Sequence, residues 1–211
     1  MHGLSVSVVA FRPDLPQLLS TLASLGVACA TLRASTPMPV RLYVVDNGGL
    51  PDISPALDEL RAQGIDCTVI TGHGNVGYGR GHNLAIERAD SRYHLVLNPD
   101  INLDPQALNS ALAFLDAYRE AGLLSPRIGD ETGHIQYLCR RYPTLLDLVV
   151  RGFLPGGLRR FFTRRLARYE MRDQINERDI VWDPPIVSGC FMLFRTEVLK
   201  QLAGFDPLYF L

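Results

Sequence analysis

Features that would mark a secreted, membrane-spanning or zinc-binding protein are scarce in this chain. Its four cysteines, Cys29, Cys67, Cys139 and Cys190, are scattered, and no CxxC pair occurs among the 211 residues. This usage favours reduced cytosolic thiols over a disulfide framework or a zinc site. The uninterrupted apolar runs are shorter than the ~18–20 residues that cross a bilayer, so we expect no membrane-spanning helix. The opening apolar run, residues 6–11, is too short for a signal sequence.

Neither sign of charge dominates the chain. It has 21 lysines and arginines against 22 acidic residues, a net charge of −1, which gives no indication of nucleic-acid binding. With 47% hydrophobic and 20% charged residues, the composition is typical of a folded protein rather than a disordered one. The length favours one large domain, and we expect a single cytoplasmic domain over residues 1–211.

The first half of the chain alternates between strand-like and helix-like segments. Short apolar segments predict strands at 4–11, 40–45, 66–71 and 93–97, and longer amphipathic or alanine-rich segments predict helices at 15–34, 55–63, 82–89 and 105–121. This alternation predicts an α/β fold with a mainly parallel central sheet flanked by helices. After residue 126 the pattern changes, and only 133–142 and 186–195 again look like strands.

Three polar clusters follow predicted strands, at the ends where ligands bind in open α/β sheets. They are Asp46-Asn47, the glycine-rich loop 72–83 and Asn98-Pro99-Asp100. Asp100 could hold Mg²⁺ or Mn²⁺ against a diphosphate, because hard cations bind carboxylates together with substrate phosphates. Asp46 could accept hydrogen bonds from a nucleobase or ribose. The alternative for each acid alone is structural: an Asx turn at Asp46 and a turn before a helix at Asp100.

The glycine-rich loop also matches a different function. Residues 72–77 read GHGNVG and satisfy the GxGxxG pattern of dinucleotide-binding folds, with Asp100 downstream as a candidate ribose ligand. That pattern belongs on the first strand–helix turn, whereas here it follows the third predicted strand. Because of this misplaced position, an NAD-dependent Rossmann oxidoreductase is kept only as a minor alternative. A P-loop is absent, since the only lysine is Lys200 and no GKS or GKT occurs.

Five motifs occur in an order that resembles a known family. They are VSVV at 6–9, VVDNG at 44–48, GNVGYGRGHN at 74–83, LNPD at 97–100 and SGCFM at 188–192. Together they resemble family 2 glycosyltransferases of the GT-A fold, in particular the rhamnosyltransferase-like branch. The resemblance runs from Leu4 to Phe210, which is nearly the whole chain.

The resemblance implies an inverting glycosyltransferase that uses a nucleotide-sugar donor and Mg²⁺ or Mn²⁺. It places the donor site at Asp46, Asn47, Asn75, Gly77, Arg80, Asn83 and Asn98, with Asp100 as the metal ligand. Asn98 stands where the family carries the first acid of its metal motif, so the site has less negative charge and is expected to bind metal more weakly. On the acceptor side the resemblance places Trp182, Ser188 and Gly189.

The resemblance also implies a catalytic base that this sequence does not contain. In the family, Gly-Phe-Asp and an aromatic stretch precede an acidic pair that supplies the base. Here Gly204-Phe205-Asp206 leads to an aromatic stretch that ends at Leu211. We therefore expect a C-terminally incomplete GT-A domain whose base lies beyond Leu211, and Asp206 is interpreted as a turn residue.

Residues 151–172 form a basic segment with seven arginines and one acidic residue, Glu170. On a helical wheel the apolar side contains Leu158, Phe161, Phe162, Leu166 and Tyr169, and the basic side contains Arg159, Arg160, Arg164 and Arg168. Such a helix suits either a membrane interface or a solvated surface that covers the protein's own core. Peripheral contact with the inner face of the plasma membrane is therefore one of two predictions for this segment.

The interpretation that the resemblance favours is transfer of L-rhamnose from dTDP-rhamnose, or of a sugar from a UDP-sugar, to a glycan or lipid-linked acceptor in bacterial polysaccharide synthesis. A nucleotidylyltransferase would need a basic glycine-rich first loop, which residues 11–14 do not provide. Besides the oxidoreductase, a catalytically inactive nucleotide-sugar-binding domain remains an alternative. It would keep the fold but lose metal-dependent nucleotide binding.

Overall fold

The computed structural model of the chain describes residues 2–130, 132–152, 160–176 and 179–210, and for Arg151 the backbone alone. The strands are β1 (Leu4–Phe11), β2 (Val40–Gly48), β3 (Ile65–Ile70), β4 (Tyr93–Leu97), β5 (Leu123–Leu124), β6 (Ile128–Gly129), β7 (Ile135–Gln136) and β8 (Phe191–Arg195). The helices are α1 (Leu15–Ser35), α2 (Ser54–Ala62), α3 (Tyr78–Ile86), α4 (Ala107–Ala117), α5 (Leu145–Gly152), α6 (Thr163–Tyr169) and α7 (Thr196–Gln201). A 3-10 helix covers Arg160–Phe162.

The main sheet has six strands in the order β3-β2-β1-β4-β8-β5. Strands β1 to β4 are parallel, and β8 runs antiparallel to both of its neighbours. This confirms the predicted mainly parallel sheet. The chain extends from β1 to one side through β2 and β3 and then returns to β4 on the other side of β1. That reversal creates the crevice in which open α/β sheets bind ligands.

The strands are apolar on both faces because helices cover both faces. Leu4, Val6, Val8 and Ala10 of β1 are buried, and so are the alternating Ser5, Ser7 and Val9. Helix α3 packs on β1 and β2, and α1 packs against α2 and α4. A strand covered on both sides loses the usual apolar–polar alternation, which explains the continuous apolar runs in the sequence.

Helix α1 contradicts the expectation that no apolar stretch reaches membrane-spanning length. It has 21 residues and is apolar enough, by length and composition, to cross a bilayer. Its buried positions are Leu18, Thr21, Leu22, Leu25, Gly26, Ala28, Cys29 and Leu32. The side chain of Asp14 caps the helix by accepting a hydrogen bond from the Gln17 backbone N–H at 3.0 Å. The buried face and the packing against α2 and α4 are typical of a core helix.

The chain divides into two compact units. Met1–Leu124 and Gly189–Leu211 form the first, here called the sheet unit, and Ser125–Ser188 form the second, here called the insert unit. The predicted strand at 133–142 is only the short β7, which pairs with β6 in a separate two-stranded sheet. The predicted strand at 186–195 begins later, at Phe191. One catalytic domain over residues 1–211 stays a prediction.

Within the insert unit, α5 exposes apolar side chains, among them Leu145, which is 83% exposed, and Leu148. The predicted amphipathic helix at 151–172 is partly described: the 3-10 helix at 160–162 precedes the seven-residue α6. Leu158 and Arg159 lie outside the described residues. Arg160, Arg164 and Arg168 are exposed, as predicted, and Leu166 and Tyr169 are half-buried, whereas Phe161 is 72% exposed rather than on the covered side.

Candidate functional site

The predicted polar clusters lie along one edge of the main sheet, at the carboxyl ends of its parallel strands. Asp46 lies opposite Ala10 at the end of β2, and Leu97 at the end of β4 lies opposite Val8. Strand β8 is antiparallel, so its first residue, Phe191, pairs with Leu97 at this edge. With β1 between them, the ends of β2 and β4 are about 10 Å apart, from a ~4.8 Å strand spacing.

Asp46 makes the Asx turn that the sequence left open as its structural interpretation. Its Oδ1 accepts hydrogen bonds from the backbone N–H groups of Gly48 at 2.8 Å and Leu50 at 3.3 Å. The side chain is only half-buried. The turn uses Oδ1 and leaves Oδ2 as the atom that could accept a hydrogen bond from a ligand.

Asn47 holds the glycine-rich loop instead of pointing into solvent. It is buried, and its Nδ2 donates to the Gly77 carbonyl oxygen at 3.0 Å. A ring nitrogen of His73, Nε2, lies 3.1 Å from Asn47 Oδ1. Both ends of the Asn47 amide thus contact loop residues. The structure gives Asn47 a role in shaping the predicted donor site, through contacts that the sequence pattern did not indicate.

The loop turns into α3 through Asn75 and Gly77. Asn75 Oδ1 accepts a hydrogen bond from the Gly77 backbone N–H at 3.0 Å. Gly77 has φ of +85°, a conformation that L side chains rarely adopt, which explains a glycine immediately before the helix. The Asn75 side chain is therefore used in a turn, while most of residues 72–75 is exposed along the sheet edge.

Asn98 and Asp100 follow β4 and differ in their surroundings. The Asn98 backbone N–H donates to the Cys190 carbonyl oxygen at 3.1 Å, and its side chain is half-buried. Thr21 in α1 donates a hydrogen bond to the Pro99 carbonyl oxygen at 2.9 Å and fixes the turn. The Asp100 side chain is exposed, and within the described part of the chain it has no hydrogen-bond or ion-pair partner.

Asp100 fits a metal that is shared with a ligand better than a metal held by protein alone. No group of three His, Cys, Asp or Glu side chains able to hold a metal occurs among the described residues. A single exposed carboxylate beside an amide is nevertheless compatible with Mg²⁺ or Mn²⁺, since magnesium sites often combine one or two carboxylates with substrate phosphates and water. The remaining ligands would then have to come from a diphosphate and solvent.

Tyr78, which the sequence did not single out, connects the start of α3 to β8. Its hydroxyl donates to the Gly189 carbonyl oxygen at 2.8 Å. Burial, with smaller contributions from Cys190 and Asp100, raises the pKa of Tyr78 well above its usual value. A Cβ at Gly189 would lie 2.5 Å from the Tyr78 hydroxyl oxygen, so this contact requires glycine there. Gly189, predicted on the acceptor side, thus belongs to the packing of the sheet edge.

Arg80 and Asn83, both predicted to bind donor, make hydrogen bonds with the protein backbone. Arg80 Nε donates to the Pro207 carbonyl oxygen at 2.8 Å. The Asn83 amide makes two hydrogen bonds with the backbone of Phe205, at 2.7 and 2.8 Å. Their contacts across more than 120 residues of sequence could not be predicted from a local motif. Whether either side chain also touches a donor remains a prediction.

The other predicted acceptor-side residues, Trp182 and Ser188, belong to the insert unit. Trp182 is 47% exposed, and Ser188 is half-buried. Nothing in their surroundings tests the predicted acceptor role, which stays a prediction. The side of the candidate site that the structure brings together is therefore the donor side, from Asp46 to Asp100.

A chain of buried polar groups lies beneath this edge. Ser5 and Ser7 of β1 contact the two ring nitrogens of His94 at 2.7 and 2.9 Å, and Ser7 also contacts His82 Nδ1 at 2.7 Å. Burial holds the pKa of His82 well below its ordinary value and lowers that of His94 to about 3. Both rings are therefore neutral near pH 7. The side chain of His82 is completely buried.

A cavity of about 390 Å³ lies away from this edge, lined by Asn83, Ile86, Glu87, Lys200, Ala203 and Gly204. It is located where α3 meets the residues that follow α7. None of Asp46, Asn98 and Asp100 lines it. We therefore place the candidate donor site at the sheet edge and not in this cavity.

Comparison with known proteins identifies a family and several proteins to which this chain is similar. A family model described as glycosyl transferase family 2 matches residues 13–203. A curated Mycobacterium tuberculosis protein named N-acetylglucosaminyl-diphospho-decaprenol L-rhamnosyltransferase is 28% identical over 222 residues. That alignment covers 99% of this chain and 66% of the relative, so the chain spans slightly less than two thirds of the relative's length.

Two solved structures share the fold at low sequence identity. Staphylococcus aureus TarS 1–349 in complex with UDP matches with a TM-score of 0.58 and 18% identity, covering 98% of this chain and 51% of that one. The mannosyltransferase PcManGT from Pyrobaculum calidifontis, in complex with GDP-Man and Mn²⁺, has a TM-score of 0.58 and 16% identity over 97% of this chain and 47% of that one. The observed mixed α/β fold is that of the GT-A glycosyltransferases.

Proposed function

This chain belongs to glycosyl transferase family 2, and we propose that it binds a nucleoside-diphosphate sugar and transfers the sugar to a glycan acceptor. The donor that we favour is dTDP-L-rhamnose, with a UDP-sugar as the second choice. The acceptor class is a bacterial polysaccharide precursor, including one linked to a polyprenyl diphosphate. The name of the M. tuberculosis relative, which specifies L-rhamnose and a decaprenol-linked acceptor, supports this choice at 28% identity.

The observation that carries the proposal is the convergence of Asp46, the glycine-rich loop and Asp100 at one edge of the sheet. This edge lies at the topological switch point, where the chain reverses from β3 to β4 across β1. Asp46 at the end of β2 and Asp100 after β4 are separated by the width of β1, and this spacing suits the two ends of a nucleoside diphosphate. One end is a polar base and sugar, and the other is a charged diphosphate.

Asp46 is assigned to the nucleoside. Its Oδ1 is fixed by two backbone N–H groups, which orient the carboxylate, and Oδ2 is then positioned to accept a hydrogen bond from the base or ribose. Asn47 supports this arrangement indirectly, because its side-chain amide contacts Gly77 and His73 of the glycine-rich loop. The loop therefore keeps one shape as a nucleoside binds, which reduces the entropy lost on binding.

Asp100, with the Asn98 amide nearby, is assigned to the diphosphate end through a divalent cation. Mg²⁺ or Mn²⁺ bound there would neutralise the charge that develops on the departing diphosphate. The exposed Asp100 carboxylate is free to approach a ligand, whereas Asn98 is fixed through its backbone to Cys190. Since Asn98 supplies no charge, this chain contributes one negative charge to the cation from this motif.

The proposed reaction inverts the anomeric carbon. An acceptor hydroxyl oxygen forms a bond to that carbon as the bond to the diphosphate oxygen breaks, and the hydroxyl proton passes to a carboxylate base. We assign no base among the described residues. Asp206 is not assigned this role, because its Oδ1 accepts a hydrogen bond from the Leu208 backbone N–H at 2.9 Å, as in an Asx turn.

The proposal extends to contact with the cytoplasmic surface of a membrane. Within the insert unit, Leu145 and Leu148 of α5 and Phe161 are exposed, as are Arg164 and Arg168 of α6. Exposed apolar side chains together with arginines suit an anionic lipid surface. The exposed apolar residues of α5 precede the predicted segment 151–172, so this surface extends further along the chain than the sequence indicated.

The test of the proposed function is a thermal-stability titration with dTDP, UDP, GDP and NADH, each with and without Mn²⁺. We expect a pyrimidine nucleoside diphosphate to stabilise the protein when Mn²⁺ is present. A ligand at 100 times its dissociation constant adds about 2.7 kcal/mol. Asp100→Ala should lose the Mn²⁺-dependent part of this stabilisation, whereas Asp58→Ala, which changes an exposed acid on α2, should keep it.

Two outcomes of this titration would contradict the proposal. Stabilisation by NADH without metal would favour the oxidoreductase alternative, although here the GxGxxG sequence follows β3 and not β1. Nucleotide binding that does not respond to Mn²⁺ would instead favour a domain that keeps the fold without metal-assisted transfer.

A further inference from the structure

We propose that Asn83 and Arg80 are positioning residues that hold residues 204–210, here called the C-terminal segment, against the start of α3, so that this segment forms one wall of the donor site. The inference rests on the proposed function and assigns these two side chains a different role from the direct donor contact that the sequence suggested. Every contact that carries it lies within the sheet unit.

Asn83 binds the C-terminal segment through both ends of its amide. Its Nδ2 donates to the Phe205 carbonyl oxygen at 2.7 Å, and its Oδ1 accepts from the Phe205 backbone N–H at 2.8 Å. A side-chain amide used in this way makes the pair of hydrogen bonds that the backbone of a neighbouring strand would make, because it satisfies the donor and the acceptor of one residue at once. The contact joins residues 122 positions apart in the sequence.

Arg80 supplies a second attachment from the same side of α3. Its Nε donates to the Pro207 carbonyl oxygen at 2.8 Å. Residues three apart on a helix lie on one face, so Arg80 and Asn83 hold neighbouring parts of the C-terminal segment together. Since the Arg80 side chain is exposed, a hydrogen bond to a fixed carbonyl oxygen gives it a defined position that solvent alone would not.

Three glycines allow the close approach between α3 and the C-terminal segment. A Cβ at Gly204, where φ is +73°, would lie 2.3 Å from Asn83 Oδ1. A Cβ at Gly79 would lie 2.9 Å from Phe205 Cβ, and one at Gly77 would lie 2.9 Å from Phe210 Cδ2. The glycines of the loop thus make room for the protein's own backbone, in addition to any approach by phosphate.

Aromatic contacts connect the C-terminal segment to the residues beside the proposed metal motif. The Phe205 ring lies edge-to-face with the Tyr78 ring, with centroids 6.2 Å apart, and 5.9 Å from the His82 ring. The Tyr78 hydroxyl donates to the Gly189 carbonyl oxygen, and the next residue, Cys190, accepts a hydrogen bond from the Asn98 backbone N–H. Displacement of Phe205 would therefore reach the residues that hold Asn98 through one side chain. This connection predicts that loosening the segment weakens metal-dependent nucleotide binding.

The experiment measures the C-terminal segment and nucleotide binding separately, in the full chain. Hydrogen exchange followed by mass spectrometry reports the backbone amides of residues 204–210 without nucleotide. Calorimetry with dTDP or UDP, whichever binds wild type, reports the dissociation constant with Mn²⁺. The variants are Asn83→Asp, which places a carboxylate oxygen against the Phe205 carbonyl, and Arg80→Gln. The matched control is Arg88→Gln, because Arg88 is exposed and its side chain donates a hydrogen bond to the Leu84 carbonyl oxygen within the same helical region.

We expect Asn83→Asp to speed exchange in the C-terminal segment at least 10-fold and to weaken nucleotide binding about 10-fold. Arg80→Gln should show smaller changes in the same direction, and Arg88→Gln should show neither. Exchange elsewhere in the main sheet should keep its wild-type rate, which separates local release from general unfolding.

Three results would overturn the inference. Unchanged exchange with weaker nucleotide binding would make Asn83 a direct donor ligand. Faster exchange with unchanged binding would make the contact purely structural. If Asn83→Asp fails to fold, Arg80→Gln decides between these outcomes by the same two measurements. If wild type binds none of the nucleotides, the proposed function fails and the predicted wall fails with it, while the exchange rates still test the contact itself.

Discussion

Single residues at the sheet edge have two kinds of role. Asp100 is exposed and without a partner in the described chain, whereas Asn47, Asn75 and Asn83 are all engaged with backbone atoms. Polar side chains after strands are equally conspicuous in the sequence whether they bind a ligand or the protein itself. The contacts separate the two: Asp100 and Asp46 Oδ2 are available to a ligand, and the asparagine amides shape the loop around them.

Asp100 leads to a prediction about the order of binding. Because it lies outside any three-ligand group in the described residues, Mn²⁺ alone should bind weakly, and nucleotide should strengthen its binding at least 10-fold. By thermodynamic linkage, Mn²⁺ should strengthen nucleotide binding by the same factor. Calorimetric titration of Mn²⁺ with and without saturating dTDP checks this. Tight binding of Mn²⁺ in the absence of nucleotide would show that other residues complete the site.

The buried histidines predict a loss of stability in mild acid. The folded-state pKa of His94 is about 3 and that of His82 is well below 6.5. In the folded protein both rings therefore stay neutral at pH values where the unfolded chain already binds a proton on them. Their contribution to stability is complete above pH 6.5, the unfolded-state pKa, and is lost as pH falls below it. Between pH 7.5 and 5.0 the His94 ring should lower the free energy of unfolding by about 2 kcal/mol, and His82 should act in the same direction.

Urea denaturation at the two pH values measures this change. His94→Gln should reduce the pH-dependent difference by about 2 kcal/mol, because this ring no longer takes up a proton on unfolding. His2→Gln, which replaces an exposed histidine, should leave the difference as in wild type. An unaltered pH dependence in His94→Gln would show that other groups cause the acid sensitivity.

At the scale of elements, the start of α5 depends on side chains that satisfy its first turn. In α5 the Thr144 backbone N–H and hydroxyl both donate to Asp147 Oδ2, at 2.8 and 2.7 Å, which is a capping box with aspartate in place of glutamate. Asp147 is buried, and its Oδ1 accepts from Arg165 Nε of α6 at 2.7 Å. One carboxylate therefore both begins α5 and joins it to α6 within the insert unit.

We predict that Asp147→Ala is more destabilising than the loss of an ordinary helix cap. Removing the cap costs about 1 kcal/mol, and losing the ion pair with Arg165, which is 40% exposed, adds up to about 1 kcal/mol. Limited proteolysis should cleave within residues 140–172 faster than in wild type. For comparison, Asp173→Ala removes the ion-pair partner of Arg141. Asp173 is more exposed than Asp147, so its loss should have a smaller effect. Equal cleavage rates in both variants would contradict the assigned role of Asp147.

The elements themselves were largely predictable, and their ends were less so. Strands β1 to β4 were confirmed because apolar β-branched runs between turn residues carry a strong signal. Helix α3 was predicted to begin at His82 but begins at Tyr78, since Gly79 and Gly81 weaken its helical signal. Gly81 is required by packing, because a Cβ there would lie 3.0 Å from Val9. The contact of Asn83 with Phe205 depends on distant residues and could not be predicted locally.

At the scale of the whole molecule, the chain combines a donor-side sheet unit with an insert unit that contains the exposed apolar and basic residues. Membership of family 2 and the GT-A fold could be inferred from five ordered motifs that resemble the family. Two of them, at 44–48 and 97–100, lie at the ends of parallel strands along one edge of the sheet. The compact insert unit was not predicted. Its elements are short, and their hydrophobic pattern lacks the regular alternation of the first half.

The membrane prediction concerns the chain as a whole, because it depends on partition between solution and lipid. Flotation with liposomes should show binding that increases with the fraction of anionic lipid. The double variant Arg164→Glu and Arg168→Glu should bind roughly 30-fold more weakly, since each basic residue near anionic lipid contributes about 1 kcal/mol. Arg88→Glu combined with Arg119→Glu changes two exposed arginines of the sheet unit and should bind like wild type. Binding that ignores lipid charge would contradict this assignment.

The position of β8 between β4 and β5 has a consequence for synthesis on the ribosome. Strand β5 ends at Leu124 and pairs in the main sheet only with β8, which begins 67 residues later at Phe191. At ~5–20 residues per second, translation of that interval takes about 3 to 13 s. During this time β4 presents an open edge to other nascent chains, and such edges promote aggregation. Slow translation across the insert unit should therefore increase the need of the nascent chain for a chaperone.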